Sequence, residues 1–113
     1  MTSGRQTSYG VMGASCRPTA FGVVCSDMRL KRDIVAVGRL ENGLTLYRYR
    51  YIWSDQLYVG VMAQEVAAIA PDAVRRGADG YLRVDYARLG LHLQTWNEWS
   101  ATRLGRSNRP FAL

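Results

Sequence analysis

The sequence predicts an α+β fold: a small single domain of short β-hairpins, short helices and a C-terminal helix. Three observations carry that prediction. Asn42-Gly43 opens onto a strand-like run from Leu44 to Trp53, and Asp79-Gly80 joins Ala73 to Arg76 with Tyr81 to Val84; both pairs tolerate the positive φ that tight hairpin turns require. The alanine-rich stretch from Ala63 to Ala70, closed by Pro71, reads as a short helix. From Asp85 onward the period turns helical, with Leu89, Leu93, Trp96 and Leu104 on one stripe.

Taken in order, residues 1 to 20 show no sustained period and contain Gly4, Gly10, Gly13 and a proline, so they are expected to be a flexible lead-in. The ordered domain is expected over 21–105. Phe21 to Cys25 reads as a short strand ending at Ser26-Asp27, a pair suited to turns and helix N-caps. Leu30 to Val37 is either helical or extended, since Leu30, Ile34 and Val37 have helical spacing. Leu44 to Trp53, the turn Ser54-Asp55-Gln56 and Leu57 to Met62 form a hairpin. The helix from Ala63 to Ala70 presents Val66, Ile69 and Ala70 on one face, and a second hairpin turns at Asp79-Gly80. The last helix starts with Asp85 as N-cap, is weakened by Gly90 and ends at Gly105; its stripe closes over its own sheet or meets a neighbouring subunit. Residues 106–113 are expected to fray.

At 113 residues the chain is one domain, able to bury roughly two-thirds of its unfolded surface. Hydrophobic residues at 48% exclude disorder over most of the length, and no apolar run reaches the roughly 20 residues that span a bilayer. The N-terminal stretch lacks the apolar core of a secretory signal, and Val11 to Cys16 is too short and broken for a lipoprotein signal. Cys16 and Cys25 make neither a disulfide framework nor, with the lone His92, a metal site. Free thiols in a reducing compartment are the expectation, with no cofactor and no membrane partner.

The formal charge of +6 raises nucleic acid as a partner, and Tyr47-Arg48-Tyr49-Arg50-Tyr51 interleaves cations with rings. In a strand, however, Tyr47, Tyr49 and Tyr51 share one face and Arg48 with Arg50 the other. That describes a half-buried strand with a solvated cationic face, and no nucleic-acid motif accompanies it.

The basic residues are unevenly divided: fourteen are arginine and one is lysine, Lys31, five positions after Ser26. Arginine keeps its proton inside a protein, whereas lysine can be driven to the neutral amine and act as a base. A five-residue separation is about 140° on a helix and opposite faces on a strand, so Ser26 and Lys31 can meet only across a turn. Free lysine, with a pKa of about 10.4, is almost wholly charged at neutral pH. A catalytic role therefore needs burial or nearby positive charge. Arg29 and Arg32 are candidates for that charge, while Asp27 and Asp33 pull the other way and leave the sign open.

Four ordered blocks then carry a resemblance. They are Ser26-Asp27-Met28-Arg29-Leu30-Lys31-Arg32-Asp33-Ile34, Leu46 to Tyr51, Gly60-Val61-Met62-Ala63-Gln64-Glu65-Val66 with Pro71-Asp72-Ala73-Val74, and Tyr81 to Tyr86. Together they resemble the endosialidase-type intramolecular chaperone domain found at the C-terminus of phage tail spikes and tail fibres, with a related form in the myelin regulatory factor family. The resemblance implies a homotrimer that assists assembly of a fibre or spike partner and then cuts itself free with a Ser-Lys dyad. Carried over by position, Ser26 is the nucleophile and Lys31 the general base. Asp27, Arg29, Gln64 and Glu65 belong to the supporting motif, and His92 matches nothing. Cysteine usage and the missing signal favour the cytoplasm, a bacterial one, during assembly, and a virion or phage-like particle is the destination that the resemblance adds.

Within one chain, Ser26 Oγ reaches the Cys25 carbonyl through a five-membered ring, whereas its own carbonyl would need a four-membered ring. Cleavage between Cys25 and Ser26 is therefore favoured in cis, and attack between subunits leaves the Ser26-Asp27 bond open. The sequence does not identify the oxyanion donors. Only 25 residues precede Ser26 and the C-terminal helical region is short, so a stand-alone trimer, action in trans and a remnant that no longer cuts all stay open. Two other readings stand beside self-cleavage: a non-cleaving trimerisation module and a small basic nucleic-acid binder.

Overall fold

Antiparallel pairing accounts for every strand in the computed structural model, which describes residues 22–106 and their side chains through residue 102. The expected lead-in and nearly all of the expected tail lie outside the described residues. The first hairpin is β3, Thr45–Tyr51, with β4, Leu57–Gly60. Its outer neighbours are β2, Lys31–Arg39, and β7, Gln94–Thr95, giving the order β2-β3-β4-β7. Before β3 the chain turns where expected: Gly43 has φ 93° and Asn42 Oδ1 accepts from the Leu44 amide at 3.0 Å. The second hairpin is β5, Val74–Arg76, with β6, Leu82–Asp85, around Gly80 at φ 85°. The short strand β1, Val23–Cys25, completes a second sheet in the order β1-β6-β5. Helix α1, Ala63–Ile69, follows β4, and helix α2, Trp96–Arg106, closes the described chain. The α+β expectation holds.

One core draws on both sheets and α1: Val24 and Val84, Tyr49 and Tyr51, Ala63 and Val66 are buried together with Leu30, Leu44, Val61, Met62 and Tyr86. Burial of these apolar bodies is the main stabilising term, at about 1.5–3 kcal/mol per large aliphatic side chain.

Of the two alternatives for Leu30 to Val37 the extended one holds, after a single 3-10 turn, with Leu30 buried and Ile34 exposed. Several other expectations are corrected. On α1 the buried pair is Ala63 and Val66, while Ile69 is 47% exposed. Three-residue steps drift about 60° each, which carries Ile69 off the face that Ala63 starts. The last helix begins at Trp96, not after Asp85. Asp85 ends β6, and Gly90, at φ 71°, stops a 3-10 turn at Ala87–Leu89. The helix starts at a capping box: the Glu98 amide donates to Thr95 Oγ1 at 3.1 Å and the Thr95 amide to Glu98 Oε1 at 2.9 Å. It runs past Gly105. The cationic face of β3 is half covered rather than solvated, because Arg48 lies 5.1 Å over the Trp96 ring and Arg50 pairs with Asp33. Cys25 is 2% exposed and disulfide-bonded, so the free-thiol expectation fails there; the one other cysteine, Cys16, lies outside the described residues. Among the described residues no helix is long and apolar enough to cross a membrane.

Candidate active site

Ser26 and Lys31 meet because one tight turn separates them. Asp27 caps the 3-10 turn Met28–Leu30, accepting from the Arg29 amide at 2.9 Å, and the Lys31 amide closes the turn on the Met28 carbonyl. This reversal sends Ser26 off the end of β1 and Lys31 into the start of β2. Lys31 Nζ lies 2.9 Å from Ser26 Oγ and donates to the Val61 carbonyl at 2.8 Å. The Ser26 hydroxyl donates to the same carbonyl at 2.6 Å. Ser26 is 0% exposed and Lys31 6%.

The backbone of Ser26 is pinned on both sides: its amide donates to the Leu82 carbonyl at 3.1 Å and its carbonyl accepts from the Ala63 amide at 2.8 Å. A nucleophile held this way has little rotational freedom to lose on reaction.

Burial pushes the Lys31 ammonium well below its ordinary pKa, and the Asp27 carboxylate offsets part of that shift. Desolvation wins, settling the sign that the sequence left open. The charges expected from Arg29 and Arg32 do not act on the amine: Arg29 is spent on Asp27, and Arg32 on Asp33 and Asp55. The remaining face of Nζ sits 4.1 Å over the Tyr49 ring. A neutral amine in this place can take the Ser26 proton while its own hydrogens stay on the Val61 carbonyl.

The supporting motif divides in two. Burial opposes charge on Asp27, yet Arg29, the Leu82 amide and Gln64 outweigh it and hold the carboxyl well below the usual carboxylate range. Gln64 bridges the turn, donating to Asp27 Oδ1 at 2.8 Å and accepting from the Met28 amide at 2.9 Å. Asp27, Arg29 and Gln64 thus fix the Ser26-to-Lys31 reversal. Glu65 is elsewhere, accepting from the Tyr47 hydroxyl at 2.5 Å. His92 is exposed and away from these residues, beside Leu91 in a cavity of about 310 Å³ under α2.

Sequence reasoning missed the tyrosines. Tyr49, Tyr51 and Tyr86 are each buried, and burial pushes all three phenols up. Tyr86 Oη accepts from the Val61 amide at 3.1 Å, and Tyr51 Oη donates to the Cys25 carbonyl at 2.7 Å. The two-residue period of Tyr47, Tyr49 and Tyr51 marked their shared face, but not what that face meets.

A family model described as chaperone of endosialidase matches residues 26–75, the stretch from Ser26 through β2, β3, β4 and α1 into β5. No curated protein and no solved structure matches the chain. The matched stretch opens on the serine whose hydroxyl meets the chain's single lysine, and over residues 26–75 the chain is similar to the endosialidase-type chaperone domain.

Proposed function

We propose that the chain is a self-cleaving intramolecular chaperone domain, cutting the Cys25-Ser26 bond with Ser26 as nucleophile and Lys31 as general base. The observation that carries this reading is the buried 2.9 Å contact between Lys31 Nζ and Ser26 Oγ, in surroundings that favour the neutral amine. Lys31 takes the hydroxyl proton as Oγ bonds to the Cys25 carbonyl carbon. Collapse breaks the C–N bond, the leaving nitrogen takes the proton back from Lys31, and an ester joins Cys25 to Ser26 Oγ. Water then yields a Cys25 carboxylate and a free Ser26 hydroxyl. The proposed setting is a homotrimer that assists a tail-fibre or spike partner, folding in a bacterial cytoplasm and reaching a phage-like particle.

Expression of the parent, Ser26→Ala and Lys31→Arg chains, followed by denaturing intact-mass measurement, tests the reading. Denaturing conditions matter because β1 would stay paired with β6 after the cut. A product beginning at Ser26 in the parent alone supports cleavage; only full-length parent contradicts it. A second reading, a non-cleaving trimerisation module, is favoured by the complete burial of Ser26, which leaves water no open path to an ester. A trimer by light scattering with no cleavage selects it.

A further inference from the structure

We infer that Tyr51 is a third catalytic residue, the hydrogen-bond donor that holds and polarises the Cys25 carbonyl during attack by Ser26. The inference rests on the self-cleavage reading and supplies its missing oxyanion donor.

Strand geometry delivers the carbonyl to the phenol. In the β1–β6 ladder the Ser26 amide donates to Leu82 and the Tyr86 amide to Gly22, with Val24 opposite Val84 between them. Bonds toward β6 therefore fall on residues 22, 24 and 26, and the Cys25 carbonyl points the other way. There it accepts from Tyr51 Oη at 2.7 Å. Tyr51 and Lys31 are directly paired across β2 and β3, so their side chains leave the sheet side by side. One cross-strand pair thus presents both the base and the donor to a single peptide bond, Lys31 to the Oγ of Ser26 and Tyr51 to the oxygen of Cys25.

The phenol is held rigidly. Its ring stacks on Trp53 at 4.9 Å and meets Tyr49 and Tyr58 edge-on. Tyr49 Oη donates to Tyr51 Oη from 3.4 Å, leaving the Tyr51 proton for Cys25. A fixed donor in a dry site is the arrangement that stabilises developing alkoxide charge without reorganisation. As Oγ bonds to the carbonyl carbon, the π pair moves onto the Cys25 oxygen and the Tyr51 hydrogen bond strengthens. When the C–N bond breaks that pair returns, so Tyr51 ends the cycle still protonated. Burial, which pushes its phenol up, keeps it a donor throughout.

The test compares cleavage rates, by intact mass, of the parent, Tyr51→Phe, and a chain carrying 3,5-difluorotyrosine at position 51. Loss of one oxyanion donor is expected to slow cleavage by about 10²–10³-fold. The fluorinated ring keeps its shape while its more acidic hydroxyl donates more strongly, so that chain is expected to cut faster than the parent. A Tyr51→Phe chain that melts cooperatively and cuts at the parent rate overturns the inference and leaves the Ser26–Lys31 reading intact. Should Tyr51→Phe not fold, the fluorinated chain decides, and a rate unchanged from the parent overturns the inference. A parent that never cuts removes the underlying reading, and this inference with it.

Discussion

Replacing Asp27 with Asn keeps the size of the side chain but removes its charge and turns one acceptor oxygen into a donor, and it should destabilise the domain severely. Oδ1 accepts from the Arg29 amide, Arg29 Nε and Gln64 Nε2, while Oδ2 accepts from Arg29 Nη2 and the Leu82 amide. Either orientation of an asparagine amide therefore sets its NH₂ against two or three donors in a place with no solvent access. Counting one lost charge-assisted bond and one stranded donor, the Leu82 amide in one orientation or Gln64 in the other, the cost is about 2–4 kcal/mol. For a domain of this size that lowers Tm by roughly 8 °C or more. Thermal unfolding across pH is the assay. The Asp27 carboxyl is depressed in the fold, so its stabilisation is full above the unfolded pKa of about 3.9 and is lost as pH falls through the folded value. The parent should weaken below about pH 4 and Asp27→Asn should change less there. An Asp27→Asn chain that melts with the parent, on the same acid slope, would refute the reasoning.

Four further outcomes follow from other contacts. Cleavage should accelerate with rising pH through a midpoint below the ordinary lysine value, and Lys31→Met should abolish it; a rate independent of pH would contradict a lysine base. In the window between the lowered folded pKa and about 10.4 the unfolded chain binds the extra proton, so the parent should gain stability as pH rises there, and Lys31→Met should lose that gain in thermal scans. Gly60→Ala would drive its Cβ into the Tyr86 hydroxyl and to 3.3 Å from Tyr49 Oη, costing about 1–3 kcal/mol by denaturant titration; an unchanged midpoint would contradict the close packing of these phenols. Thr95→Ala removes the Oγ1 cap of α2 and should cost about 0.5–2 kcal/mol, read as loss of helical ellipticity on heating.

Local chemistry made part of this architecture legible. Asn42-Gly43 and Asp79-Gly80 marked their turns because positive φ is a property of a few residues, and Pro71 marked the end of α1. Ser26-Asp27 was readable as a cap, and the turn it forms is what lets Ser26 and Lys31 meet. The C-terminal half was misread because the spacing of Leu89, Leu93 and Trp96 suits one helix while Gly90 breaks it. Thr95-x-x-Glu98 was the available signal for the true start. The carbonyls of Val61 and Cys25 and the hydroxyl of Tyr51 could not be read, since they are brought together by strand register between distant segments. The burial that lowers the Lys31 pKa belongs to the assembled core and to no single stretch of sequence.

Denaturing intact-mass analysis of the freshly refolded parent, quenched over time, bears most directly on the proposed chemistry. The account predicts a pair of fragments that break between Cys25 and Ser26, whose masses sum to the parent plus one water, growing in together and absent from Ser26→Ala. A parent that remains at full mass throughout, while folded and with Lys31 still buried, would contradict it.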